Sequence, residues 1–181
     1  KSGVVICHPH PLYGGSMFNN VVNAMEEGFF QKGFTTVRFN FRGVGESGGS
    51  YGDGEGEVED VLAACEYLAS QLDDDGTIWF AGYSFGAWVC TRASLKDDRP
   101  HNLFLVSYPF AFYAAEPLFD VTGDIYFVAG EFDDIGPIDA TLKVYESLPL
   151  VGKNLKIIPT DHFYAGKERE ILQFIVDRVG L

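Results

Sequence analysis

The stretch Thr77-Ile78-Trp79-Phe80-Ala81-Gly82-Tyr83-Ser84-Phe85-Gly86-Ala87-Trp88-Val89 constrains this chain more than any other. An apolar, β-prone run leads straight into G-x-S-x-G, and a helical pattern follows without a break. A serine at the centre of such a turn sits on a sharply bent backbone. Only glycine on either side leaves room for the strand and helix that meet there. The turn lifts the Ser84 hydroxyl above the strand ends and sets free N–H groups of a helix N-terminus beside it. The pentapeptide alone arises by chance; between a strand and a helix it points to an activated serine rather than to a mere helix cap.

The rest of the chain repeats the same alternation. Apolar runs at residues 3–7, 35–41, 77–81, 102–107, 124–129 and 154–158 are nearly continuous, as parallel strands covered on both faces require. Between them, Val58, Val61, Leu62, Cys65, Leu68 and Leu72 recur at helical spacing, as do Ile171, Leu172, Ile175 and Val179 near the end. This predicts an α/β fold: one doubly wound, mostly parallel sheet flanked by helices, in a single domain over residues 1–181. The Gly-rich segment 43–56 reads as a loop, too short to separate domains.

Charge narrows the partners. With 26 acidic against 13 basic side chains, the formal net charge of −13 repels phosphate backbones and anionic membranes. No apolar run reaches the roughly 18 residues of a membrane span, and no signal-peptide pattern is present. Cys7, Cys65 and Cys90 are odd in number and sit in apolar runs, which reads as buried free thiols in a reducing compartment. The expectation is a cytoplasmic protein with no nucleic-acid or membrane partner. Because Lys1 directly precedes a strand, the N-terminus is treated as incomplete and targeting is left open.

A serine hydroxyl needs a base to take its proton and a carboxylate to hold that base, in the chain order Ser, acid, His. His162 follows the run at 154–158 and precedes the last helix, which makes it the base. His101 precedes a strand, at the wrong end of the sheet, and reads as a solvated loop residue. The acid belongs just past a strand's C-terminal end. After the run at 124–129, Asp133 and Asp134 both qualify. For a developing oxyanion, one donor is the N–H of Phe85 and the second comes from the loop Cys7-His8-Pro9-His10-Pro11-Leu12-Tyr13-Gly14-Gly15. Pro9 and Pro11 have no N–H, which leaves His10, Leu12 and Tyr13, with Leu12 preferred.

Two patterns are set aside. His8-x-His10 is half a metal site with no further ligands at spacing, and its histidines read as hydrogen-bonding struts of the loop. Gly43-Val44-Gly45-Glu46-Ser47-Gly48 matches a dinucleotide fingerprint literally but does not open a helix at once, so it reads as a loop bordering the site. Neither metal nor cofactor is expected.

Three stretches together resemble a known family: His8-Pro9-His10-Pro11-Leu12-Tyr13-Gly14-Gly15-Ser16-Met17, Arg38-Phe39-Asn40-Phe41-Arg42-Gly43-Val44-Gly45, and Ser84-Phe85-Gly86. The chain is similar over essentially its whole length to the small, cap-less α/β hydrolases related to dienelactone hydrolases. The resemblance implies an α/β-hydrolase fold without a cap. The family's G-x-x-D pattern near a downstream proline falls on Gly130, Asp133 and Pro137, which implies Asp133 as the acid. Relatives begin with a strand hairpin that this chain lacks, so the run at 35–41 is expected as a sheet edge. The segment 107–120, rich in Tyr, Phe and Pro, departs from the family's plainer loop.

The expected activity is serine hydrolysis of a small carboxylic ester or thioester, of carboxylesterase type, by Ser84, His162 and Asp133. Phe85 and Leu12 would hold the oxyanion, and Tyr13, Tyr108 and Phe110 would contact substrate, beside Phe112 and Tyr113. The alternatives are a non-catalytic ligand- or partner-binding protein and a serine peptidase on the same fold.

Overall fold

Apolar runs that alternate with amphipathic helices bury both strand faces, and the arrangement of the chain follows from that requirement. A computed structural model describes residues 1–73, 75–149 and 151–180. Strands β1 (Gly3–Cys7), β2 (Thr35–Arg38), β3 (Ile78–Tyr83), β4 (Asn102–Val106), β5 (Ile125–Gly130) and β6 (Lys153–Ile158) form one sheet. Its order is β2-β1-β3-β4-β5-β6 and every pairing is parallel. Helices α1 (Asn20–Gln31), α2 (Glu55–Ala69), α3 (Phe85–Ser94), α4 (Ile138–Ser147) and α5 (Glu168–Arg178) lie between and after the strands.

Side-chain alternation splits the core in two. Val5, Phe80, Leu103, Leu105 and Phe127 pack with residues of α2, α3 and α4. Val4, Ile6, Ala81, Phe104 and Val106 pack with α1 and α5 on the opposite face. The chain winds β1 to β2 in one direction and then returns past β1 to β3. Loops leaving β1 and β3 therefore diverge, and a crevice opens at their C-terminal ends. Ser84 and the loop at 8–15 both sit at that point.

The expected strand at 35–41 is shorter than its apolar run. After Arg38 the backbone is taken by other partners: the Phe41 N–H donates to His8 Nε2 (3.0 Å), and the Asn40 carbonyl accepts from the Ser47 hydroxyl (2.7 Å). β2 is half-buried and lies at the sheet edge, where its length of four residues offers a foreign strand few pairing positions. All three cysteines are buried and free. Among the described residues no helix is long and apolar enough to cross a membrane.

His101 corrects the expectation of a solvated loop residue. It is 4% exposed, stacks on Phe80 (4.2 Å between centroids), and its Nδ1 lies 2.9 Å from the Ile78 carbonyl oxygen. It ties the N-terminal ends of β3 and β4 together. The Gly-rich loop at 43–56 is held by a buried carboxylate: Glu57 accepts the N–H of Gly52 (2.9 Å) and of Gly54 (2.8 Å) at the N-terminus of α2. Negative charge there also complements the helix dipole. Glu57→Ala leaves these donors without an acceptor and is expected to destabilise the protein by about 1–3 kcal/mol, read as a lowered urea midpoint.

Candidate active site

Ser84 stands at φ 55°, ψ −121°, on the positive-φ side that a residue with a β-carbon adopts only under constraint. Its N–H donates to the Val106 carbonyl (2.9 Å), which pins the turn to the end of β4. The flanking glycines are required by space. A β-carbon on Gly82 would lie 2.4 Å from the Gly86 carbonyl, and one on Gly86 would lie 2.3 Å from the Cys7 carbonyl oxygen. The first turn of α3 thus rests directly on the chain leaving β1.

Ser84, His162 and Asp133, brought from three loops, meet here. His162 Nε2 is 2.9 Å from Ser84 Oγ, and His162 Nδ1 is 2.8 Å from Asp133 Oδ2 and 3.0 Å from Oδ1. A carboxylate only accepts, so Nδ1 carries the proton and Nε2 is left to accept from the serine hydroxyl. Tyr83 donates its hydroxyl to the His162 carbonyl (2.6 Å) and fixes the loop that carries the ring. Asp134 is exposed, whereas Asp133 is 4% exposed. Asp133 Oδ1 accepts the N–H groups of Ile135 and Gly136 (2.8 Å each), and Oδ2 accepts the Ser107 hydroxyl (2.6 Å).

Burial acts to raise the Asp133 carboxyl, but hydrogen bonds from His162, Ser107 and Gly136 outweigh it and hold the group below the usual carboxylate range. Sequence reasoning missed Ser107, Tyr83 and Tyr164. A serine or tyrosine near a strand end carries no signal by itself, and their roles come from backbone geometry.

The first loop corrects one expectation. The Leu12 N–H donates to Nδ1 of the His10 ring (3.2 Å), and the Leu12 side chain is 65% exposed. Leu12 is therefore not positioned as an oxyanion donor: the His10 side chain has capped the short 3-10 turn Pro11–Tyr13. The Tyr13 N–H is also engaged, on the His10 carbonyl (3.1 Å). Among the described residues, no protein acceptor takes the N–H of His10 or of Phe85. The His10 ring lies 4.6 Å from the Phe85 ring, between centroids, so both groups border the same space. His8 is a strut as expected: Nδ1 donates to the Pro9 carbonyl (2.6 Å) and Nε2 accepts from Phe41. Burial lowers its pKa to about 4 and keeps the ring neutral.

A cavity of about 630 Å³ opens over Ser84 and His162. Tyr13, Phe112, Tyr113 and Phe163 form its walls, and no described residue lining it carries a permanent charge. Tyr108 and Phe110 do not line it, contrary to expectation. Tyr108 is buried with its hydroxyl on the Ala114 carbonyl (2.8 Å), and Phe110 packs on its ring. Phe112 and Tyr113, whose N–H groups both donate to the Pro109 carbonyl (3.0 and 3.1 Å), face the cavity instead. Cys65, Asp97 and His101 also approach one another, but Arg99 already supplies a cation there, donating to both Asp97 oxygens (2.8 and 2.6 Å).

The lowered Asp133 carboxyl makes a prediction with a definite sign. Its folded pKa lies below the unfolded value of about 3.9, so its stabilising effect is complete above that value and fades as pH falls through the lower folded one. Asp133→Asn is expected to flatten the acid side of the stability–pH curve, measured by thermal melts across acidic buffers.

Comparisons with known proteins agree with this fold. The family model described as X-Pro dipeptidyl-peptidase (S15 family) matches residues 5–115, which include the first loop and Ser84. The chain is 32% identical over 186 residues to "Uncharacterized protein RP471" of Rickettsia prowazekii (strain Madrid E), covering 96% of this chain and 76% of that protein. An alpha-beta serine hydrolase homologue from Coxiella burnetii superposes with a TM-score of 0.90 at 30% identity, covering 99% of this chain and 85% of that one. A serine hydrolase without lid from Xanthomonas campestris gives a TM-score of 0.86 at 32% identity, covering 96% and 78%. A six-stranded parallel sheet, an elbow serine at its switch point and these matches lead to one conclusion: the chain belongs to the S15 family of α/β serine hydrolases.

Proposed function

We propose that the protein hydrolyses small, uncharged carboxylic esters or thioesters through an acyl-enzyme on Ser84. The observation that carries this reading is the unbroken line Ser84 Oγ, His162 Nε2, His162 Nδ1, Asp133, with spacings of 2.9 and 2.8 Å. Ser84 Oγ attacks the carbonyl carbon while His162 Nε2 takes its proton. The resulting oxyanion is held by the N–H groups of Phe85 and His10 in place of Leu12. Asp133 keeps the imidazole in its tautomer and stabilises the imidazolium. On collapse, the leaving oxygen or sulfur takes the proton from Nε2. Water then attacks the acyl group, gives its proton to Nε2, and Ser84 departs with that proton restored.

The cavity supports an uncharged substrate. A dipeptidyl-peptidase must recognise a free ammonium, and a carboxylate is the chemistry that does so. No described residue lining this cavity offers one, and the Glu57 oxygens are occupied by the N–H groups of Gly52 and Gly54. An anionic acyl chain meets no cation there either. The S15 match favours the peptidase as the second reading, because the description of that family is an X-Pro dipeptidyl-peptidase.

Labelling with a fluorophosphonate probe tests the nucleophile: wild type should label, and Ser84→Ala and His162→Ala should not. Turnover of a neutral ester is expected to fall by at least about 10³-fold in either variant. In a panel, a neutral short-chain ester should be cleaved well ahead of its carboxylate-terminated analogue and of X-Pro anilides. Preference for the anilides would replace the esterase reading with the peptidase one.

A further inference from the structure

The carboxylate of Asp133 has a supporting line of its own, reaching back into the core. Its Oδ2 is 2.6 Å from Ser107 Oγ, and Ser107 Oγ is 2.6 Å from the Tyr164 hydroxyl. An ionised carboxylate cannot donate, so the serine proton points to Asp133. The remaining lone pairs of Ser107 then face Tyr164, which must be the donor in the second bond. The direction is fixed along the whole line: Tyr164 O–H to Ser107 Oγ, Ser107 O–H to Asp133 Oδ2, and, from the other side, His162 Nδ1–H to Asp133. Ser107 is 1% exposed and Tyr164 is fully buried, so no solvent competes.

Backbone conformation shows what it takes to align these hydroxyls. Ser107 (φ 47°) and Tyr164 (φ 57°) are two of only four non-glycine residues at positive φ among the described residues, and Ser84 is a third. Such conformations persist where the surroundings demand them. Ser107 directly follows β4, and Tyr164 lies two residues past His162. The loop carrying Asp133 closes on the same point: a β-carbon on Gly136 would lie 2.8 Å from the Tyr108 carbonyl oxygen. Packing alone would be met by an alanine and a phenylalanine, with no hydroxyl to place.

We propose that Ser107 and Tyr164 are positioning residues, a polarised hydroxyl relay that sets how strongly Asp133 holds the imidazolium of His162. This rests on the reading of Ser84, His162 and Asp133 as the reacting set. Each donor removed from the carboxylate concentrates its charge, and a more basic carboxylate favours protonated imidazole. Successive hydrogen bonds polarise one another, so Tyr164 acts on Asp133 through Ser107. The other groups facing the pair are Tyr83 from β3, with its hydroxyl on the His162 carbonyl, and Asp161, which is exposed.

The experiment compares Ser107→Gly, Tyr164→Phe and the double variant with wild type. Glycine removes the hydroxyl and suits a positive φ, so folding is retained. The readouts are thermal melting, the pH profile of kcat/KM for a neutral ester, and fluorophosphonate labelling. In Ser107→Gly the acidic limb should move to higher pH by about 0.5–1 unit. Tyr164→Phe should move it the same way by less, and Tyr164→Phe added to Ser107→Gly should move it no further. Lowered melting temperatures with an unmoved acidic limb, or additive shifts in the double variant, would overturn the relay. If wild type and Ser84→Ala label alike, the reacting set itself fails. If only wild type labels while the limb stays fixed, the relay fails alone.

Discussion

Where β3 turns into α3 there is no space for an extra β-carbon. Gly82 faces the Gly86 carbonyl and Gly86 faces the Cys7 carbonyl, each closer than any real β-carbon contact. This contact brings the helix N-terminus against the end of β1, and the remaining loops arrange themselves around it. Ser84 is held at positive φ by the turn, with its N–H on the end of β4. The loop after β1 therefore borders the same pocket of space as the serine, and the His10 ring packs at a tilt against Phe85. If the elbow relaxed, the serine, the first loop and the end of β4 would lose their common reference.

A second demand is electrostatic. Asp133 is buried, and a buried carboxylate stays ionised only when its lone pairs are filled. Two backbone N–H groups, the imidazole and Ser107 do this. No described residue lining the cavity beside it carries a permanent charge, so the carboxylate and the Nδ1–H of His162 interact with few competitors. That arrangement concentrates the interaction on the imidazole, because little solvent is present to weaken it. The same economy shows in Glu57, whose carboxylate is spent on shaping a loop.

The two ends of the sheet are built differently. At the C-terminal end, hydroxyls, N–H groups and aromatic rings converge on an open cavity. At the N-terminal end, Asp97 is paired with Arg99 and His101 is stacked on Phe80, which fastens neighbouring elements. Charge is compensated by an ion pair there, whereas beside the serine the Asp133 carboxylate is held by neutral donors and the imidazole.

Much of this was readable in the sequence for a physical reason. Apolar runs without alternation demand cover on both faces, so β1, β3, β4 and β5 and the two-sided helices were visible as pattern. Glycines at 82 and 86 announced the elbow because no other residue fits it. Chain order pointed to His162, and a family pattern pointed to Asp133. Hydrogen bonding to and from side chains in and beside the loops was not readable. It ended β2 at Arg38, engaged the Leu12 N–H on the His10 ring, turned Tyr108 into the core and buried His101. Composition and periodicity determine which residues must leave water; which N–H meets which acceptor is settled only when the loops pack together. Thus the sequence alone determined the sheet and the serine's turn, while tertiary contacts decided which N–H groups of the first loop are engaged, the cavity walls and the hydroxyls behind Asp133.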